Sequence, residues 1–79
     1  MIISDHAKEE MLKDSITEDE VRQCLEYGNI EIAECVHDEM RYGRRFAFKD
    51  RSIMVVYTLR NNEERIITVY SIRKKKWQK

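Results

Sequence analysis

The sequence predicts an α+β fold in which two N-terminal helices pack on one face of a four-stranded, mainly antiparallel sheet. Three observations predict it. Apolar residues recur with a helical period up to Gly28 and with a period of two from Ile30 onward. Runs rich in β-branched and aromatic residues then follow one another, separated by short polar breaks. No Pro, repeat or low-complexity linker interrupts the chain, so residues 1–79 read as a single domain whose helices cover the apolar sheet face.

Each element has a local signal. Ile2 and Ile3 can form a short edge strand. Ser4 or Asp5 can cap a first helix, short and polar, whose Ala7 and Met11 share a face at i, i+4. In ITEDEV, Thr17 and Glu20 have the spacing of a capping box, with Ile16 and Val21 as the staple pair around it. A second helix therefore starts at Thr17, turns Val21, Cys24 and Leu25 inward, and ends at Gly28, which can take the left-handed conformation. Residues 30–36 are a plausible strand, and MRYGRRFAF, SIMVVYTLR and RIITVYSI are three more. In the first of these three, Met40, Tyr42, Phe46 and Phe48 alternate with Arg41, Gly43, Arg45 and Ala47, so one face is apolar and the other basic. Asp50 and Arg51 turn the chain before Ser52. Asn61 and Asn62 turn it again, because Asn tolerates positive φ.

Charge is distributed unevenly. The formal net charge is +0, yet residues 1–39 hold three Lys or Arg against twelve Asp or Glu, and residues 40–79 hold twelve against three. Charged residues make up 38% of the chain, well above the usual level of about 25%. A one-sided basic surface attracts phosphate-bearing partners over about 8 Å at physiological salt. Alternatively, the two halves neutralise each other within the fold or across a homodimer, which would also add burial to a small core. Cys24 and Cys35 have neither CxxC nor finger spacing, so a disulfide frame and a zinc site are not expected, nor is any other metal or cofactor. No segment has the roughly 20 apolar residues of a membrane span or the pattern of a signal peptide. The expectation is a cytoplasmic protein without a membrane partner.

DHAKEEM followed by ITEDEV, a strand with RYGRRF, then ITVY and a basic end with Trp77, together resemble a family of short bacterial proteins described only as a domain of unknown function. In that family a His-Ala pair opens the first helix, often as HAxxRM, and a strand ending in ITVY closes the sheet. The resemblance covers nearly the whole chain. More distantly, the layout is similar to the RelE and ParE toxin superfamily, including BrnT and MqsR-like toxins. This similarity implies a RelE-like toxin of a toxin–antitoxin pair, a metal-independent endoribonuclease acting on mRNA, with an MqsA-like antitoxin as partner. The chain departs from the family at Glu10 and Asp14, where Arg is common.

Cutting RNA through its own 2′-hydroxyl needs a base, a proton for the departing 5′-oxygen, and positive charge beside the phosphorane. His6, Arg45 and Tyr70 are the candidates for that chemistry. Histidine is the side chain that titrates near neutral pH without special help, and His6 either acts as the base or holds the helix start against the sheet. Arg45 shares a strand face with Arg41, and paired guanidinium hydrogen bonds suit phosphates; the competing reading is a solvated face. Arg44 points with Phe46 and can pack or pair with a helix carboxylate. By strict alternation Tyr70 falls on a row with Ile66 and Ile72, as Tyr57 does with Ile53 and Val55, which favours core packing. The alternative, that Tyr70 meets a base or phosphate, follows from the toxin resemblance. Arg73, Lys74, Lys76 and Trp77 combine charges with an aromatic plate, a composition suited to RNA, or to pairing with acidic helices. His37 reads as a solvated turn residue. A binding or interaction module that cuts nothing is the alternative to the enzyme.

Overall fold

The computed structural model describes residues 1–73. The elements are β1 (Ile2–Ile3), α1 (Asp5–Asp14), α2 (Glu18–Tyr27), β2 (Asn29–Val36), β3 (Glu39–Ala47), β4 (Arg51–Arg60) and β5 (Glu63–Arg73). They form a five-stranded sheet in the order β1-β5-β4-β3-β2. Four strands make the expected antiparallel meander, and β1 adds a fifth that runs parallel to β5, with Ile2 opposite Arg65 and Ile3 opposite Ile66. The sheet is therefore mixed and has five strands, one more than expected. Two apolar residues gain a place there because Ser4 is fixed twice: its N–H donates to Ile66 O at 3.1 Å and its Oγ to Ile67 O at 3.1 Å.

The same Ser4 caps α1, accepting from Ala7 N–H. The capping box of α2 is complete, with Glu20 N–H donating to Thr17 Oγ1 at 3.2 Å and Thr17 N–H donating to Glu20 Oε1 at 2.9 Å. α1 ends in a left-handed residue, Ser15, at φ 54°. α2 does not: Gly28 has φ −72°, and glycine is required there for a different reason. A Cβ at Gly28 would run into the Cys24 carbonyl oxygen and lie 3.0 Å from the Arg45 carbonyl. The helix end is pressed against β3.

α1 packs on β5, and α2 on β4 and β3. The core between helices and sheet holds Ala7, Met11, Ile16, Val21 and Cys24 from the helical side and Ile53, Val55, Tyr57, Ile66 and Val69 from the strands. Leu25, Tyr42, Phe46 and Phe48 pack around it. Strict alternation fails once in β5. The register shifts where Val56 faces Thr68 but Tyr57 faces Ile66, leaving Ile67 as an extra residue. This bulge turns both Ile66 and Val69 to the core and leaves Tyr70 on the opposite face, 37% exposed. Tyr57 is buried as expected, whereas the core placement expected for Tyr70 is overturned.

Arg44 points with Phe46 to the helix side as expected, and of its two expected roles packing holds. It pairs with no helix carboxylate; its Nε donates to Tyr57 Oη at 2.9 Å and its NH1 to Gly28 O at 3.0 Å. Arg51 opens β4 and clamps the turn between the helices, donating to Asp14 O at 2.5 Å, Ser15 O at 2.9 Å and the Glu20 carboxylate at 3.2 Å. The Asp14 carboxylate accepts from Ser71 N–H and Oγ–H, both at 3.3 Å, so Asp14 fastens α1 to β5. Two hairpins, at His37–Asp38 and Asn61–Asn62, have positive φ at both central residues, the geometry that matches strand twist.

Candidate functional site

The side of the sheet away from the helices is open, and its composition follows from register. Arg41, Gly43 and Arg45 of β3 lie there, opposite the Tyr42, Arg44 and Phe46 row that meets the helices. Gly43 is buried because the Ile32 side chain lies over it. Thr58 of β4 donates to Met40 O at 2.7 Å and faces Arg65 of β5, which in turn faces Ile2 of β1.

At this end, beside β1 and the start of α1, lies an open cleft of about 550 Å³. Its walls include Ile2, Ser4, His6, Glu39, Arg41, Thr58, Arg60, Arg65 and Ile67. His6 reaches it because Ala7, the next residue, is turned fully into the core. Three guanidinium groups and one carboxylate thus share a cavity with an imidazole. Arg60 is committed to Glu39, with its Nε and NH2 both 2.9 Å from Oε2. The ion pairs among the described residues include that one and Arg45 with Glu31 but none of Arg41 or Arg65. The Arg41 Nε is buried and lacks a hydrogen-bond partner among the described residues. A buried donor without an acceptor costs about 1–3 kcal/mol.

Of the expected site residues, His6 and Arg41 share this cleft, while Arg45 and Tyr70 lie farther along the open face. Four residues of strand separate Arg41 from Arg45, about 13 Å at 3.3 Å per residue. The three candidates for catalysis are therefore not gathered at one point. Arg73 is exposed opposite Arg51 at the far end of β5, on the row of Ser71 and Val69 that faces the helices. Lys74, Lys76 and Trp77 lie outside the described residues. His37 is an exposed hairpin residue at φ 51°.

Arg60, Arg65 and Glu39 are the cleft residues that reading the sequence missed. A signal for two of them was present: a two-residue loop at Asn61–Asn62 forces Arg60 opposite Glu63 and Thr58 opposite Arg65. The uneven charge is also partly explained, since Glu20 with Arg51, Glu31 with Arg45 and Glu39 with Arg60 each join an acid of the first half to a base of the second. Among the described residues no cluster of three His, Cys, Asp or Glu could hold a metal ion. Nor is any helix of the described residues long and apolar enough to cross a membrane.

A family model described as "Domain of unknown function (DUF4258)" matches residues 3–71. The chain belongs to that family. The match takes in Ile3 of β1, both helices and the four strands of the meander to Ser71, and so includes the walls of the cleft other than Ile2. No curated protein and no solved structure matches the chain. Nothing in these comparisons links the chain to RelE or ParE toxins.

Proposed function

We propose that this DUF4258 domain binds RNA through the cleft beside the start of α1 and cuts it there, with His6 as the base. The observation that carries the reading is that Arg41 and Arg65, which join none of the ion pairs among the described residues, line the same cleft as His6. A phosphodiester oxygen is an acceptor of the right charge for the Arg41 guanidinium, and Arg65 supplies a second guanidinium across Thr58. His6 would take the proton of the 2′-hydroxyl. Its oxygen bonds to the adjacent phosphorus, the bond to the 5′-oxygen breaks, and that oxygen takes a proton from solvent. The products are a 2′,3′-cyclic phosphate and a 5′-hydroxyl. Arg41 and Arg65 would lie beside the charge that develops on the phosphorane oxygens.

Unchecked cutting of mRNA harms the cell that makes the enzyme. The reading therefore calls for an inhibitor, the antitoxin of a toxin–antitoxin pair, that sets a carboxylate against Arg41 and Arg65. One observation favours a second reading, binding without cutting: Arg45 and Tyr70, the other two candidates, stand a strand segment away from His6.

End-labelled RNA incubated with the protein in chelator, free and on translating ribosomes, separates the two. Cutting is expected with wild type and is expected to be lost in folded His6→Ala. The loss of a positioned base corresponds to about 100-fold or more in rate. Salt-dependent binding with no cutting under either condition would overturn the enzyme and leave the binding module. Neither cutting nor binding would overturn both.

A further inference from the structure

Farther along the open face lies a second group of residues that the scission chemistry leaves unused. Arg45 faces Met54 and Met54 faces Tyr70, so the three form one row across β3, β4 and β5. Strands lie about 4.8 Å apart, which places Arg45 about 10 Å from Tyr70. Met54 between them is buried, but Tyr70 is 37% exposed and Ile72, two residues on and on the same side, 44%. Water therefore meets an aromatic and an aliphatic surface beside a guanidinium. The bulge at Ile67 produces this arrangement, since without it Tyr70 would turn to the core.

Arg45 is held without being used up. Its Nε and NH2 lie 2.8 and 2.7 Å from Glu31 Oε2, and both side chains are well exposed. Such a pair contributes about 1 kcal/mol or less, and a guanidinium has five N–H donors. A phosphate can share Arg45 with Glu31 or replace it.

Resting on the reading of the cleft given above, we infer that the open face is a track for single-stranded RNA. One phosphate of the strand sits between Arg41 and Arg65, and a nucleobase of the same strand stacks on Tyr70 beside Arg45. The two points are about 13 Å apart along β3. Stacked nucleotides advance about 3.4 Å each, so the gap takes about four stacked steps and fewer of an extended strand. A base held in a duplex is stacked on its neighbours and cannot offer its face to Tyr70.

The test uses 2′-deoxy oligonucleotides, which lack the nucleophile and so report binding alone. Affinities for lengths of two, four, six and eight are compared for the full chain, Tyr70→Ala, Tyr70→Leu and Arg45→Gln. For wild type the affinity is expected to rise about tenfold between two and eight nucleotides, as one stacked base implies. Both Tyr70 variants are expected to lose most of that rise with dinucleotide binding unchanged, and Arg45→Gln to lose part of it. Tyr70→Leu keeps an apolar side chain and guards against a folding loss in Tyr70→Ala. A rise that persists in the folded Tyr70 variants overturns the track, as does equal binding of an eight-base-pair duplex. Dinucleotide binding with no gain in length overturns the track but leaves the cleft. No binding at any length overturns the cleft reading and the track with it.

Discussion

Arg44 is a cation turned toward the core, and its two hydrogen bonds explain why it is not costly there. Replacing it with Met removes the donors for Gly28 O and Tyr57 Oη together. Arg44→Met is expected to lose about 1–3 kcal/mol and Tyr57→Phe about 1 kcal/mol, as read by urea unfolding. The double variant should lose less than the sum, because the second change removes a partner already gone. The cysteines differ in a comparable way. Burial pushes the Cys24 thiol up to about 11, with the Glu20 carboxylate adding to the rise and a hydrogen bond from the Phe46 backbone opposing it. Cys24 is buried and Cys35 exposed, so native protein should expose one thiol to a labelling reagent and denatured protein two. The folded form holds the Cys24 proton more tightly than the unfolded form, whose ordinary value is 9.0. Its contribution is fully present below pH 9 and is lost as pH rises toward about 11. Stability measured across that window should fall less steeply in Cys24→Ala than in wild type.

The helix ends belong to the scale of elements, and they use opposite devices. α1 stops at a left-handed Ser15, a conformation that disfavours a side chain. Ser15→Gly should therefore raise the midpoint of urea unfolding by the equivalent of about 0.5–1 kcal/mol. α2 stops at a Gly28 with ordinary φ, pressed between its own last turn and β3. Gly28→Ala has no such freedom to gain and forces backbone apart, so a loss of more than about 1 kcal/mol is expected from the same measurement. If Gly28→Ala were neutral, the close approach of α2 to β3 would be wrong. Glu20 links the scales, since one carboxylate completes the capping box of α2 and receives Arg51 at the start of β4.

At the scale of the whole molecule the sheet divides the work between its faces. Helices and core occupy one face; Arg41, Arg45, Arg65, Tyr70 and Ile72 occupy the other. The charge separation along the sequence is partly neutralised in the fold, because four ion pairs among the described residues cross between the halves. On the open face, Arg41 and Arg65 take part in none of the ion pairs among the described residues. If single-stranded nucleic acid binds there, log affinity should fall with log salt by about 0.7 for each phosphate contacted. Arg41→Ala and Arg65→Ala should each flatten that slope by about one such step, while a variant on the helix side, such as Lys13→Ala, should leave it unchanged. A slope that neither arginine alters would place the contact elsewhere.

The sequence by itself determined the features whose chemistry is local. Thr17 with Glu20 announced α2, Asn61 with Asn62 announced a hairpin, and alternation in MRYGRRFAF put Arg41 and Arg45 on one face, because each depends on residues within a few positions of one another. Family membership was legible in the same way, from short motifs in a fixed order. Only the tertiary structure decided the rest. Ile2 and Ile3 could be read as an edge strand, but they have no partner until β5 is in place, so their parallel pairing with β5 could not be read from two residues. The bulge at Ile67 is set by how β5 must sit against β4 and the helices, and it alone moved Tyr70 from the core to the open face. The cleft joins His6 to Arg41 and Arg65 across three separate segments, and strand alternation says which face a side chain takes but not which distant side chains meet there.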